Sequence, residues 1–88
     1  MFIVKNDDQW YISILSDKNE LFQTKLNIVK RYQLTFCSKT NDNSYYKVWY
    51  STYGIKNFYD CVKSLLEIEK FKVPLELIME IENETSNS

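Results

Sequence analysis

Acidic side chains are the first place to look for catalytic chemistry, because the 88-residue chain contains no histidine. Without an imidazole there is no histidine base, no Ser-His or Cys-His pair and no His-ligated metal site. Asp7 and Asp8 fall in a predicted turn, whereas Glu67 and Glu69 lie on different faces of a predicted helix, so neither pair resembles an acid/base pair in a cleft. We therefore expect no enzymatic activity, no catalytic residue, no metal site and no cofactor.

The two cysteines and the single glycine support the same expectation. Cys61 falls on the apolar side of a predicted helix, where packing is its expected role, and Cys37 has no base near it in the sequence. Two cysteines are fewer than the disulfide framework of a small secreted domain requires. We expect two free thiols in a reducing cytoplasm, with a single disulfide as the alternative. One glycine, Gly54, cannot form a Gly-rich phosphate loop.

An aromatic cluster is the strongest candidate for a binding site. Within residues 45–53 the chain carries Tyr45, Tyr46, Trp49, Tyr50 and Tyr53. Alternation along a strand places Tyr45, Lys47 and Trp49 on one face, which we expect to be exposed. Lys25 and Arg31, on a neighbouring predicted strand, would extend this patch with positive charge. Rings beside cations suit a protein-binding hot spot or a platform for stacked bases; the alternative is that Trp49 is buried and the tyrosines reflect strand propensity.

Charge is distributed unevenly between the two parts of the chain. Residues 1–56 hold eight Lys/Arg and five Asp/Glu, whereas residues 57–88 hold three Lys and seven Asp/Glu. We expect the acidic end, with Glu76, Glu80, Glu82 and Glu84, to meet a basic partner surface, such as one that normally holds nucleic acid. The alternative is a solvated surface with complementary halves. A net charge of −1 argues against strong non-specific affinity for nucleic acid.

Alternating apolar residues predict the strands. In residues 9–15, Trp10, Ile12 and Ile14 share one side, and residues 21–28 alternate again after a turn-rich segment, which predicts an antiparallel hairpin. Apart from Lys30, even-numbered residues keep the apolar face as far as residue 36, so we expect one long strand that bends or bulges near Lys30. A further strand is predicted over residues 45–50.

Two helices are predicted after Gly54. Residues 55–70 repeat apolar side chains at steps of three and four, with Asn57 as the expected N-cap. Pro74 is expected to open a second helix that reaches residue 82, with a strand as the alternative. Residues 83–88 form a polar, frayed tail. The sum is a single α+β domain over residues 1–82: an antiparallel meander of three to four strands, followed by one or two helices packed on one sheet face.

The segment 45–53, followed by a helix through residues 58–66, resembles small uncharacterised proteins of phages and mobile elements, including anti-CRISPR-type and other host-takeover inhibitors. Residues 9–15 share the same pattern. The resemblance implies a protein that binds and inhibits a host protein or complex in the host cytoplasm, and it assigns no site residue. The alternatives are a single-stranded nucleic-acid-binding module that uses the same rings, and a homodimer. No signal peptide or membrane span is predicted.

Overall fold

Four strands and three helices make up the part of the chain that the computed structural model describes, residues 1–16, 20–37 and 46–86. In chain order the elements are β1 (Phe2–Asn6), β2 (Gln9–Leu15), α1 (Glu20–Arg31), β3 (Thr35–Phe36), β4 (Tyr46–Tyr50), α2 (Ile55–Leu66) and α3 (Leu75–Ser86). Side chains of all three helices pack into one core with one face of the antiparallel sheet, which confirms the predicted α+β class.

The sheet has the order β1-β2-β4-β3, and every neighbouring pair is antiparallel. Asp7 and Asp8 form the two-residue turn between β1 and β2, and both have positive φ angles, 51° and 66°. Positive φ at both central residues is typical of the type I′ turn, whose twist matches that of the flanking strands. The predicted turn at these residues is therefore confirmed, whereas strand β1 was not expected from the sequence.

Residues 21–28 are helical, so the prediction that they form the second strand of a hairpin is wrong. Apolar residues in this segment satisfy a helical period as well as the strand period, because Phe22, Leu26 and Val29 are spaced by four and three residues. Thr24, which a strand would place with the apolar face, is exposed on α1. Of the predicted long strand through residue 36, only the short β3 exists among the described residues. Because α1 connects β2 to β3, the sheet is not a simple meander.

The core lies between the helices and the sheet face that carries Ile3, Ile12 and Trp49. Eight side chains are almost completely inaccessible to solvent: Ile12, Ile14, Val29, Phe58, Cys61, Val62, Leu65 and Leu77. Burial of each large apolar side chain favours folding by about 1.5–3 kcal/mol. Since these residues come from strand β2 and from helices α1, α2 and α3, the core joins the sheet to all three described helices.

Helices α2 and α3 confirm the two predicted helices, including the preference for a helix after Pro74. The N-cap of α2 is Gly54, with a φ of 98°, so the prediction of Asn57 as the cap is wrong. The Asn57 amide instead donates hydrogen bonds to the Tyr32 carbonyl at 3.0 Å and to Ser51 Oγ at 2.9 Å. Asn57 thereby ties the first turn of α2 to the ends of α1 and β4. Helix α3 continues through residue 86, into the segment predicted to fray.

Candidate interaction surface

The sheet face opposite the helices is mainly apolar and aromatic. Antiparallel partners share a face, so the register groups side chains in rows across the strands. We term this surface the open face; it comprises Phe2, Val4, Asn6, Gln9, Tyr11, Ser13, Leu15, Thr35, Tyr46, Val48 and Tyr50. None of these side chains is charged. Phe2 and Val4 are each 44% exposed and Leu15 is 39% exposed, so no described helix covers them.

Two aromatic pairs order the open face. The Phe2 and Tyr46 rings meet edge to face with centroids 5.1 Å apart, and the Tyr11 and Tyr50 rings do the same at 5.7 Å. Such pairs stabilise a protein by about 0.5–1.5 kcal/mol beyond the area that they bury. Ser13, the cross-strand neighbour of Phe2, is buried beneath the larger side chains around it. The rings are therefore held in place before any partner arrives, which lowers the entropy lost on binding.

Trp49 lies on the other face of the sheet, so the prediction that it is exposed is wrong. It is only 5% exposed, it is the cross-strand partner of Ile12, and its ring packs edge to face on Phe36 at 5.6 Å. Lys47 shares the helix-side face, with its ammonium 5.9 Å from the ring centroid of Phe22 in α1. Tyr45, the third residue of the predicted patch, lies outside the described residues.

Lys25 and Arg31 are on helix α1, so the prediction that they extend an aromatic patch from a neighbouring strand is wrong. Lys25 is 6% exposed and donates a hydrogen bond to Glu69 Oε2 at 3.3 Å. Arg31 is exposed in the last turn of α1, where a cation interacts favourably with the helix dipole. The structure does not bring either cation to the open face.

The acidic residues of α3 divide into two groups. Glu76 and Glu80 accept hydrogen bonds from Lys5 Nζ on β1, at 3.2 Å and 2.7 Å, and the indole N–H of Trp10 also donates to Glu80. Glu82 and Glu84 are exposed near the end of the helix. The hydrogen bond from Lys5 lowers the pKa of Glu80 more than burial raises it, and the Trp10 bond lowers it further. These contacts hold α3 against β1 and β2.

We expect this contact to weaken in acid. A carboxylate with a lowered pKa in the folded state stabilises it above the carboxyl pKa of the unfolded chain, about 4.3. That contribution is lost as the pH falls further, through the folded-state pKa of Glu80. Urea unfolding of the wild type and of Glu80→Gln between pH 3 and pH 7 measures it. The variant should lose less stability on acidification than the wild type, and identical pH profiles would contradict the assignment.

Within the described residues, packing and internal hydrogen bonds account for the buried thiol and for the polar groups of one pocket. Cys61 is fully buried, and burial raises the pKa of its thiol to about 12, so it packs as a neutral side chain. Neither Cys37 nor Cys61 forms a disulfide, which confirms the predicted free thiols. A pocket of about 340 Å³ lies beside the start of α2, between Gln9, Ser51 and Glu80. Ser51 and Glu80 are already hydrogen-bonded within the protein. No three His, Cys, Asp or Glu side chains of the described residues cluster as metal ligands would.

Part of the open face carried no prediction from the sequence, and its β4 residues were expected on the covered side of the sheet. Phe2 and Val4 were missed because β1 was not predicted, although the five residues of this strand alternate in burial around Ile3. Tyr46 and Tyr50 were grouped correctly with each other but were expected to face the helix. The alternation of Tyr11 with the buried Trp10 and Ile12 was the available signal, because it gives β2 a second face that carries Tyr11 and Leu15.

Comparison with protein-family models, with curated proteins and with solved structures found no match to this chain. The helices formed by the described residues all lack the length and apolar character needed to cross a bilayer.

Proposed function

We propose that this protein is a non-enzymatic protein-binding module and that the open face is its contact surface. The observation that carries the proposal is a contiguous set of mainly apolar and aromatic side chains, without charge, on a sheet face that no described helix covers. Soluble proteins rarely expose a contiguous apolar patch unless it binds something. Tyrosine rings on a rigid strand also lose little conformational entropy when they dock.

The chemistry of the open face favours a protein over nucleic acid. Binding to single-stranded DNA or RNA combines stacked bases with cations that neutralise the phosphates. The described cations that were expected to serve this purpose are elsewhere: Lys25 pairs with Glu69, Lys47 lies over Phe22, and Arg31 ends α1. An uncharged aromatic face instead matches the centre of a protein interface, where aromatic residues are enriched and charged residues are depleted.

The resemblance to small phage and mobile-element proteins supports a host protein or complex as the partner. In this proposal the module inhibits that partner by covering part of its surface. The open face supplies the apolar contact, and the exposed carboxylates Glu82 and Glu84 of α3 supply negative charge for a basic surface of the partner.

Substitution of a tyrosine tests the open face as the contact surface. We expect Tyr50→Ser to weaken partner binding at least tenfold, because the ring and its edge-to-face contact with Tyr11 are both lost. Tyr53→Ser is the matched control, since Tyr53 is 65% exposed but lies after the end of β4 and outside the open face. Each variant is used as bait in host lysate with and without nuclease, and the affinity for the recovered protein is then measured with purified components.

The outcomes separate the candidate functions. Loss of the partner with Tyr50→Ser but not with Tyr53→Ser supports the proposal, provided that circular dichroism shows both variants folded. Equal affinity of both variants would exclude the open face. Recovery that disappears with nuclease, together with salt-sensitive gel shifts of single-stranded DNA or RNA, would replace the proposal with nucleic-acid binding.

A further inference from the structure

Strand β1 is the outermost strand of the sheet, and no described strand pairs with its outer side. Asn6 and Gln9 flank the two-residue turn and therefore exchange both of their backbone hydrogen bonds. Alternation from this pair directs the backbone N–H and C=O groups of Ile3 and Lys5 away from β2. An outer edge of this kind is a template for one more strand. We term it the β1 edge.

The surroundings of the β1 edge differ on its two sides. On the open-face side the neighbouring side chains are Phe2 and Val4, each 44% exposed. On the helix side, Lys5 lies between Glu76 and Glu80 of α3, and the Glu76 side chain is 63% exposed. The described side chains of α3 carry four carboxylates and no cation. At this border Glu76 and Glu80 share the one ammonium of Lys5, so negative charge is in excess there.

This charge disfavours a second copy of the chain as the occupant. Two copies paired about a twofold axis at Val4 would place Ile3 of each opposite Lys5 of the other, with both α3 helices on the same side of the joined sheet. The two acidic helices would then approach each other, and like charges brought together destabilise an interface. A strand from another protein that carries Lys or Arg on its helix side would instead gain from the same carboxylates.

We propose that the β1 edge accepts an extended strand of the protein partner in which Lys or Arg alternates with apolar or aromatic residues. Successive side chains of a strand point to opposite faces, so the basic residues face Glu76 and the apolar residues continue the surface formed by Phe2 and Val4. This inference rests on the proposed function and specifies the kind of partner that the open face meets. The added strand lengthens the sheet and the open face together.

A synthetic peptide of sequence KVKTKVKTK, titrated into isotope-labelled protein, tests the proposal. The largest amide shifts are expected at Ile3 and Lys5, whose N–H groups would donate to the peptide. The peptide EVETEVETE, which has the same pattern with the opposite charge, should bind at least fivefold more weakly. Failure of the lysine peptide to bind, or equal binding of the two peptides, would overturn the proposal.

Two substitutions locate the peptide. Lys5→Pro removes one outward N–H and should weaken binding at least tenfold, whereas Lys5→Ala loses the same ion pairs, keeps the N–H and should retain the affinity. Glu76→Lys should weaken the lysine peptide and strengthen the glutamate peptide, which keeps the test decisive if Lys5→Pro does not fold. Equal binding by Lys5→Pro and Lys5→Ala would exclude the edge.

Light scattering and Tyr50→Ser distinguish the remaining outcomes. A dimer that Lys5→Pro converts to a monomer would show that a second copy occupies the edge, and the proposal would fall. If Tyr50→Ser abolishes partner binding while Lys5→Pro leaves both the partner and the peptide bound, the proposed function stands and the strand at the β1 edge is excluded. If Lys5→Pro abolishes peptide binding and Tyr50→Ser does not affect the partner, the edge assignment stands and the open face is excluded.

Discussion

Replacing Trp49 with alanine is expected to destabilise the fold by about 3–5 kcal/mol, the usual cost of removing a large aromatic side chain from a core. Trp49 is 5% exposed, lies on the central strand β4 opposite Ile12, and contacts Phe36. An 88-residue domain has a total stability of about 4–13 kcal/mol. Trp49→Ala therefore removes a large part of the free energy of unfolding, and any loss of binding in this variant reflects loss of structure.

Urea unfolding followed by circular dichroism measures this effect, with Tyr50→Ser as the matched control. Tyr50 is the next residue of the same strand but lies half-buried on the open face, so its substitution should cost about 1–2 kcal/mol, from the edge-to-face pair with Tyr11 and the area that the ring buries. A stability of Trp49→Ala within about 1 kcal/mol of the wild type would contradict its place in the core.

Strands β2 and β4 show which features of the sheet the alternation of residues within a strand determines. It grouped Trp10 with Ile12 and Ile14, and it separated Trp49 from Tyr50, as the structure does. It did not determine which face the helices cover, because both faces of β4 are aromatic. That choice follows from strand pairing: Trp49 lies opposite Ile12, and cross-strand partners share a face. Strand pairing brings together residues that are far apart in the sequence, so the periodicity within one strand does not predict which strands pair.

Helix α1 shows why a period of two was misleading in this chain. Phe22 and Leu26 are four residues apart and so satisfy both the strand period and the helical period, and they do not discriminate. The discriminating positions are the buried, odd-numbered Val29 and the exposed Thr24. The burial of Lys25 hid the helical pattern further, because a lysine was expected to be exposed.

Lys25, which was wrongly predicted on a strand, has a structural role that follows from its surroundings. Its side chain is 7% exposed, and its ammonium lies 3.3 Å from a carboxylate oxygen of Glu69, beyond the end of α2. The amino group of Met1 lies 3.5 Å from the same oxygen. Desolvation by itself would raise the pKa of Glu69, but the hydrogen bond and positive charge of Lys25, together with the Met1 amine, hold it below its usual value. Glu69 therefore joins α1 and the start of the chain to the α2–α3 connection.

Glu69→Gln is expected to destabilise the protein by about 1–3 kcal/mol, because it leaves the buried ammonium of Lys25 without its anion. This is less than the usual cost of breaking a fully buried pair, since the Glu69 side chain is 42% exposed and water partly replaces it. Lys25→Met, which fills a similar volume without charge, should remain within about 1 kcal/mol of the wild type.

Urea unfolding at neutral pH measures both variants and their combination. The combined variant should be more stable than Glu69→Gln alone, because methionine removes the unpaired charge that makes the single substitution costly. Additive losses in the combined variant would show instead that the carboxylate stabilises the fold through the Met1 amine or other contacts, and that Lys25 does not depend on it.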